Sequence, residues 1–245
     1  MLDLVALMPH CKKDVKLDTK DEREVINEVA ELHGCSSALF FESRKHQDLY
    51  LWLAKTPAGP SVKFHVTNVH TMGELSLPGN HLKGSRPVLR FDASFDDAPH
   101  GPLLREMLMQ VFVTPRGHRK SKPFMDHVLL FGFQDGRVWF RNYAAHFPPG
   151  KPSTSVQEPH GGATLVEVGP RMTLNPIRVF AGSFRGAVLW SNPDYVSPNA
   201  VRRRQKQQLG GAYARKVAKK QARKAHAQKW ESHPDELDNE RVFKQ

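Results

Sequence analysis

Apolar residues recur at two periods along this chain. Residues 38–42 (ALFFE), 48–55 (DLYLWLAK) and 62–68 (VKFHVTN) are short runs of aliphatic, aromatic and β-branched side chains, which predicts strands, with Pro57, Gly59 and Pro60 turning the chain between the last two. Residues 18–32 place Val25, Ile26, Val29, Ala30 and Leu32 at roughly helical spacing, with Gly34 beyond to stop the helix. After a turn-rich stretch at 72–85 the order returns. Residues 87–92 (PVLRFD) predict a strand, and 102–113 a helix with Leu103, Leu104, Met107, Leu108 and Val111 on one face. Residues 126–133 (DHVLLFGF) and 137–144 (RVWFRNYA) then predict a hairpin turned by Gln134-Asp135-Gly136.

Each stretch thus runs helix, strand, strand, a weak internal repeat of about 70 to 80 residues; an ordinary α+β domain alternates in the same way. Only the second copy has a strand before its helix, so a true duplication leaves the first half without its opening strand. Residues 144–162, with four prolines, read as a surface loop. LVEVGPRMTLNPIRVFAGSF (165–184) predicts a strand, a stop at Gly169-Pro170-Arg171, and a second strand. Glycine accepts backbone angles other residues avoid and proline removes a ladder donor, which accounts for the break but not for the arginine. Residues 187–192 (AVLWSN) close the body, and Ser197-Pro198-Asn199 opens a helix, with serine as cap and proline in the first turn. Leu209, Tyr213 and Val217 form only a thin apolar stripe on it, interrupted by Gly210-Gly211.

Charge changes the picture. The chain has 36 Lys and Arg against 25 Asp and Glu, a net +11. Residues 201–230 hold Arg202, Arg203, Arg204, Lys206, Arg215, Lys216, Lys219, Lys220, Arg223, Lys224 and Lys229 and no acid. Without these eleven, 25 basic residues balance 25 acidic ones, so the body is neutral and the excess sits in one block. Such segregation points to a polyanionic partner. The block is rich in Ala and Gln with little bulky apolar surface, which argues against membrane insertion.

Cys11 and Cys35 form no CxxC pair, supporting neither a disulfide framework nor a thiolate zinc site and fitting a reducing compartment. No apolar run approaches the roughly 18 residues of a membrane span, and MLDLVALMPH lacks the basic start of a signal peptide. PPGKPS fails as a phosphate loop because Pro152 follows Lys151 and Ala145 stands where the first glycine belongs. There is no GxSxG or HExxH. His65 and His70 could face a metal only by accident of fold, and Asp96, Asp97 and Asp126 read as turn and edge residues rather than as an acid/base pair. No catalytic residue, cofactor or metal is therefore expected.

The positive signal lies on loops. PRGHRKSKP (115–123) carries Arg116, Arg119, Lys120 and Lys122, and HLKGSRP (81–87) sets Lys83 and Arg86 beside a glycine. Both suit contacts to nucleic-acid backbone; the other reading is charge for solubility.

KLDTK (16–20), LFFESRKHQDLYLW (39–52), KGSRPVL (83–89), RKSKPF (119–124), VEVGPRMTLNPIRVFAGSF (166–184) and NPDYVSPN (192–199) together resemble the Brix-domain family over roughly residues 2–200. The resemblance implies an α/β (α+β) Brix domain at 1–200. Its two similar halves, about 1–80 and 81–200, each resemble an anticodon-binding domain and are related by a pseudo-twofold. A basic C-terminal helical extension follows at 201–245.

The resemblance also implies a non-enzymatic nucleolar assembly factor of the large ribosomal subunit that binds precursor ribosomal RNA and supports its processing. The implied partners are pre-large-subunit proteins, with a nucleolar protein of the Epstein–Barr nuclear antigen-binding type among them, and no membrane. The expected RNA contacts are Lys83, Arg86, Arg116, Arg119, Lys120 and Lys122 with Arg202, Arg203, Arg204, Lys206, Arg215, Lys216, Lys219 and Lys220 of the tail. Gly169, Pro170 and Arg171 match the family signature, with Arg171 expected at a carboxylate or an RNA phosphate. Family members begin with a short strand upstream of the point where Met1 falls, so a start assigned too far downstream or a truncated form is expected. Two rivals stay open, an RNA-modifying or RNA-cleaving enzyme and a basic ribosomal protein, because basic loops and tails serve all three.

Overall fold

The computed structural model describes residues 1–17, 23–146, 164–231 and 242–243. β1 (Ser37–Arg44), β2 (Asp48–Lys55) and β3 (Ser61–His70) form an antiparallel meander. β4 (Pro87–Phe91) runs parallel to β5 (His127–Gln134), which pairs antiparallel with β6 (Arg137–His146). β7 (Thr164–Glu167) extends the pairing of β6, and β8 (Arg171–Phe180) joins the two sets by pairing with both β3 and β6. With β9 (Val188–Ser191) on β8, the nine strands make one sheet of order β1-β2-β3-β8-β6-β5-β4.

The two ends of this sheet are built alike. β1-β2-β3 and β5-β6-β8 are both antiparallel sets, and they meet where β3 pairs with β8. β4 lies outside β5, while no strand lies outside β1 among the described residues.

Alternation along β2 explains the layering. Leu51 and Leu53 face one side, where they join Phe64, Phe131 and Phe140 in the main core, while Trp52 and Ala54 face the other. The helix α4 (Gly101–Phe112) presents Leu104, Met107, Leu108, Val111 and Phe112 to the main core, matching the expected face except that Leu103 is only partly buried. α1 (Leu2–Leu7) buries Leu4 and Leu7 there too, so the N-terminal residues are structural. On the opposite side Ile26 of α2 (Val25–Leu32) packs with Trp52 and Phe184.

Some boundaries differ from the sequence reading. α2 begins at Val25, not near Asp18; residues 18–22 lie outside the described residues. Of the loop expected at 144–162, residues 144–146 are the end of β6 and the rest lies outside the described residues. Within 72–85, α3 (Met72–Leu75) is held by a capping box in which Thr71 and Glu74 satisfy each other's amides. The expected hairpin has the two-residue loop Asp135-Gly136, both with positive φ (52° and 68°), as a turn matched to strand twist requires.

The chain divides into two compact units, Met1–Pro193 and Asp194–Gln245. The second contains α5 (Pro198–Glu231), whose opening turn is capped by Ser197 Oγ accepting from the amide of Ala200 at 3.3 Å.

Candidate nucleic-acid interface

Strands β4 and β5 are parallel neighbours with Pro87 opposite His127, so the segments that enter them emerge at the same end of the sheet. Those segments are the two basic loops. The amide of Lys122 donates to the carbonyl of Gly84 at 2.7 Å, and the amide of Arg86 to the carbonyl of Phe124 at 2.8 Å. Gly84 has φ +83°, and a Cβ there would lie 3.0 Å from the Lys120 carbonyl, so glycine permits both the turn and the approach.

Lys83, Arg116, Arg119, Lys120 and Lys122 are exposed on this joined surface, and Arg86 is half-buried with its Nε unpartnered. None of the six pairs with a carboxylate among the described residues. Other cations of the body do: Arg105 with Asp96 at 2.9 Å, Arg44 with Glu42 at 2.7 Å, Arg185 with Glu24 at 2.6 Å. The loop cations thus differ from these paired ones in having no carboxylate partner among the described residues.

Beneath the loops sits a buried polar anchor. Ser85 Oγ donates to the Leu82 carbonyl at 2.7 Å and lies 3.0 Å from His127 Nδ1, which is 3.1 Å from Asp126 Oδ1. The Leu82 amide donates to the other oxygen of Asp126 at 2.6 Å. Burial, and secondarily the neighbouring His81, depress the His127 pKa to about 4, so its ring is neutral at physiological pH. Burial alone would raise Asp126, but the neighbouring Ser85 hydroxyl, the Leu82 amide and His127 outweigh it and hold the carboxyl below its ordinary range. His81, Asp126 and His127 lie close enough to suggest a metal site. The two imidazoles, however, stack at 4.2 Å with 15° between planes, so their lone pairs run side by side rather than converge on an ion. The cluster is suited to fixing the loop.

Sequence reasoning missed the residues that border this surface from the N-terminal segment. Pro9, His10, Cys11 and Lys12 line a shallow cleft with His118, Arg119 and Lys120. His10 is tied down by Nε2 donating to the Val111 carbonyl at 2.8 Å, and Lys12 binds the carbonyl of His33 at the end of α2. No periodicity joins residue 12 to residue 119; only the packing of α1 into the core brings them together.

The Gly-Pro-Arg segment is a two-residue surplus in one strand. Tyr143 faces Glu167 and Phe140 faces Met172, so three steps along β6 match five on the other side. Buried Asn142 catches the excess: its Nδ2 donates to the Gly169 carbonyl at 2.8 Å, and its carbonyl accepts from Val168 at 3.0 Å. Gly169 has φ +84° and sits against Leu75 and Met72 of α3. Arg171 grips Glu167 with two bonds, Nε to Oε1 at 3.0 Å and Nη2 to Oε2 at 2.9 Å.

In the second unit, Arg203, Arg204, Lys206, Arg215, Lys216, Lys219 and Lys220 are exposed on α5 and Arg202 is half-exposed. Leu209 and Tyr213, two residues of the thin apolar stripe, are each 71% exposed.

Comparison with known proteins bears on all of this. Ribosome biogenesis protein BRX1 homolog 1 of Arabidopsis thaliana is 52% identical over 97% of this chain and 76% of its own length. The Homo sapiens homolog is 52% identical over 83% of this chain, which spans only 54% of that relative. A solved structure, a probable ribosomal biogenesis protein from Aeropyrum pernix K1, aligns with TM-score 0.44 and 15% identity over 71% of this chain and 84% of that one, too loosely to bear on the site. Residues 1–178 match the Brix domain, and the chain belongs to the Brix-domain family.

Proposed function

We propose that this protein is a ribosome assembly factor that acts on the large subunit in the nucleolus by binding precursor ribosomal RNA, and that it is not an enzyme. The observation that carries the RNA contact is the union of the two basic loops at the Gly84–Lys122 bond, with six cations on one surface that have no carboxylate partner among the described residues. The assembly role rests on family membership and on relatives named as ribosome biogenesis proteins. The first unit binds through Lys83, Arg86, Arg116, Arg119, Lys120 and Lys122, and the tail adds affinity and nuclear import through its basic clusters. Residues of the pre-large-subunit particle, including a nucleolar protein of the Epstein–Barr nuclear antigen-binding type, complete the partners. The division into halves at about 1–80 and 81–200 with an extension at 201–245 belongs to the same reading and is supported by the sheet order.

Crosslinking the tagged protein to RNA in cells and sequencing the attached fragments tests this directly. Reads concentrated on precursor ribosomal RNA, with sedimentation in precursor particles, are expected. Enrichment in mature subunits would instead point to a ribosomal protein.

A further inference from the structure

The eleven cations of α5 are not arranged alike along its length. With about 100° between successive residues of an α-helix, Arg202, Arg203, Arg204 and Lys206 scatter over an arc of about 200°, with only Arg202 and Lys206 one turn apart. Arg215, Lys216, Lys219, Lys220, Arg223 and Lys224 instead fall within roughly one half of the circumference, as two adjacent i,i+4 rows. The other half over the same turns is Ala214, Val217, Ala218, Gln221, Ala222 and Ala225. Such rows repel along the helix, since like charges four apart destabilise it and no acid stands among them. A face of this kind is stable when a polyanion lies on it. Two aromatics close its ends on the same half: Tyr213, 71% exposed, and Trp230, 68% exposed, whose Nε1 donates to His226 Nε2 at 3.0 Å.

We infer that the Arg215–Lys224 half of α5 is a distinct binding face for an unpaired RNA strand, its phosphates on the two cationic rows and its bases stacked on Tyr213 and Trp230. This deepens the RNA-binding reading above and rests on it. Cations that track a backbone beside aromatic platforms suit single strands, because every base offers a stacking face. An acidic protein surface would meet the cations but would leave the aromatics without a role.

The face can be dismantled without changing charge or composition. The full chain carrying Lys216→Ala with Ala218→Lys, Lys220→Gln with Gln221→Lys, and Lys224→Ala with Ala225→Lys moves three cations to the opposite half. Ala, Gln and Lys differ little in helix propensity, and far-UV circular dichroism checks that the helix persists. The probe is a fluorescein-labelled unpaired oligoribonucleotide, with a duplex of the same sequence alongside, titrated across salt concentrations. The rearranged chain should bind the unpaired strand roughly tenfold more weakly at about 0.15 M salt, with its salt slope reduced by about two. Tyr213→Ala with Trp230→Ala should weaken the unpaired strand and leave the duplex unchanged. An unaltered affinity and slope in the rearranged chain, or a duplex bound more tightly than the unpaired strand, would overturn the face while leaving RNA binding intact. Failure of the unaltered chain to bind either probe would overturn the RNA-binding reading itself.

Discussion

Arg171 and Glu167 hold each other across the strand surplus at Gly169-Pro170, both guanidinium bonds at 3.0 Å or less. The arginine that local propensity left unexplained is a clamp on the bulge that lets one segment pair with β6 and then cross to β3. The Glu167 side chain is only 17% exposed, so Arg171→Ala strands a largely covered carboxylate. The expected cost is about 1–2 kcal/mol. The melting midpoint should fall by several degrees, and the salt slope of RNA binding should stay as it was. A flattened slope at constant stability would mean that Arg171 meets phosphate instead.

The joined loops predict a measurable electrostatic signature. Each phosphate contact contributes roughly 0.7 to 0.9 to the slope of log affinity against log salt. Changing Arg116, Arg119, Lys120 and Lys122 together to Ala should lower the slope by about one unit per true contact, measured by fluorescence anisotropy. Lys12→Gln, at the border of the same surface, should lower it by a further unit or less. If the fourfold variant titrates like the parent, these charges serve solubility.

Stability should depend on pH through His127. Its pKa is about 4 in the folded chain against the ordinary 6.5, so between those values the unfolded chain binds more protons. The contribution is therefore intact above about pH 6.5 and is lost as pH falls toward 4, by an amount on the order of 3 kcal/mol. His10 and His100 are shifted downward by burial as well and act in the same direction. Chemical denaturation at a series of pH values should show a shallower decline in His127→Gln than in the parent. Because this ring fixes Ser85, the same variant should weaken RNA binding at neutral pH although it removes no cation.

One substitution should have opposite signs at the glycines of α4 and α5. At Gly101, in the first turn of α4, a Cβ would come within 1.8 Å of the Phe95 carbonyl oxygen, a backbone atom that cannot swing away. Gly101→Ala should destabilise the first unit by more than about 2 kcal/mol or prevent its folding. At Gly210 and Gly211 nothing lies within 4 Å, and alanine there should favour the helix by about 1 kcal/mol each, read as increased helical circular dichroism.

What the chain settles by itself is local. The period-two runs at β1, β2 and β3, the Asp135-Gly136 turn, the apolar face of α4 and the break at Gly169 all follow from neighbouring residues, because strand alternation, helix spacing and turn chemistry act over a few positions. The basic block of 201–230 was equally plain, since charge segregation needs no geometry. The candidate site was only half legible. Its cations could be named, but that the two loops share one surface depends on β4 lying parallel beside β5, a pairing between residues some 40 positions apart in the chain. Lys12 joined them only because α1 buries Leu4 and Leu7 in the main core. His127 read as one more strand residue until packing removed its water and left Ser85 and Asp126 as its partners. Long-range pairing and burial are properties of the assembled sheet, and no window of sequence contains them.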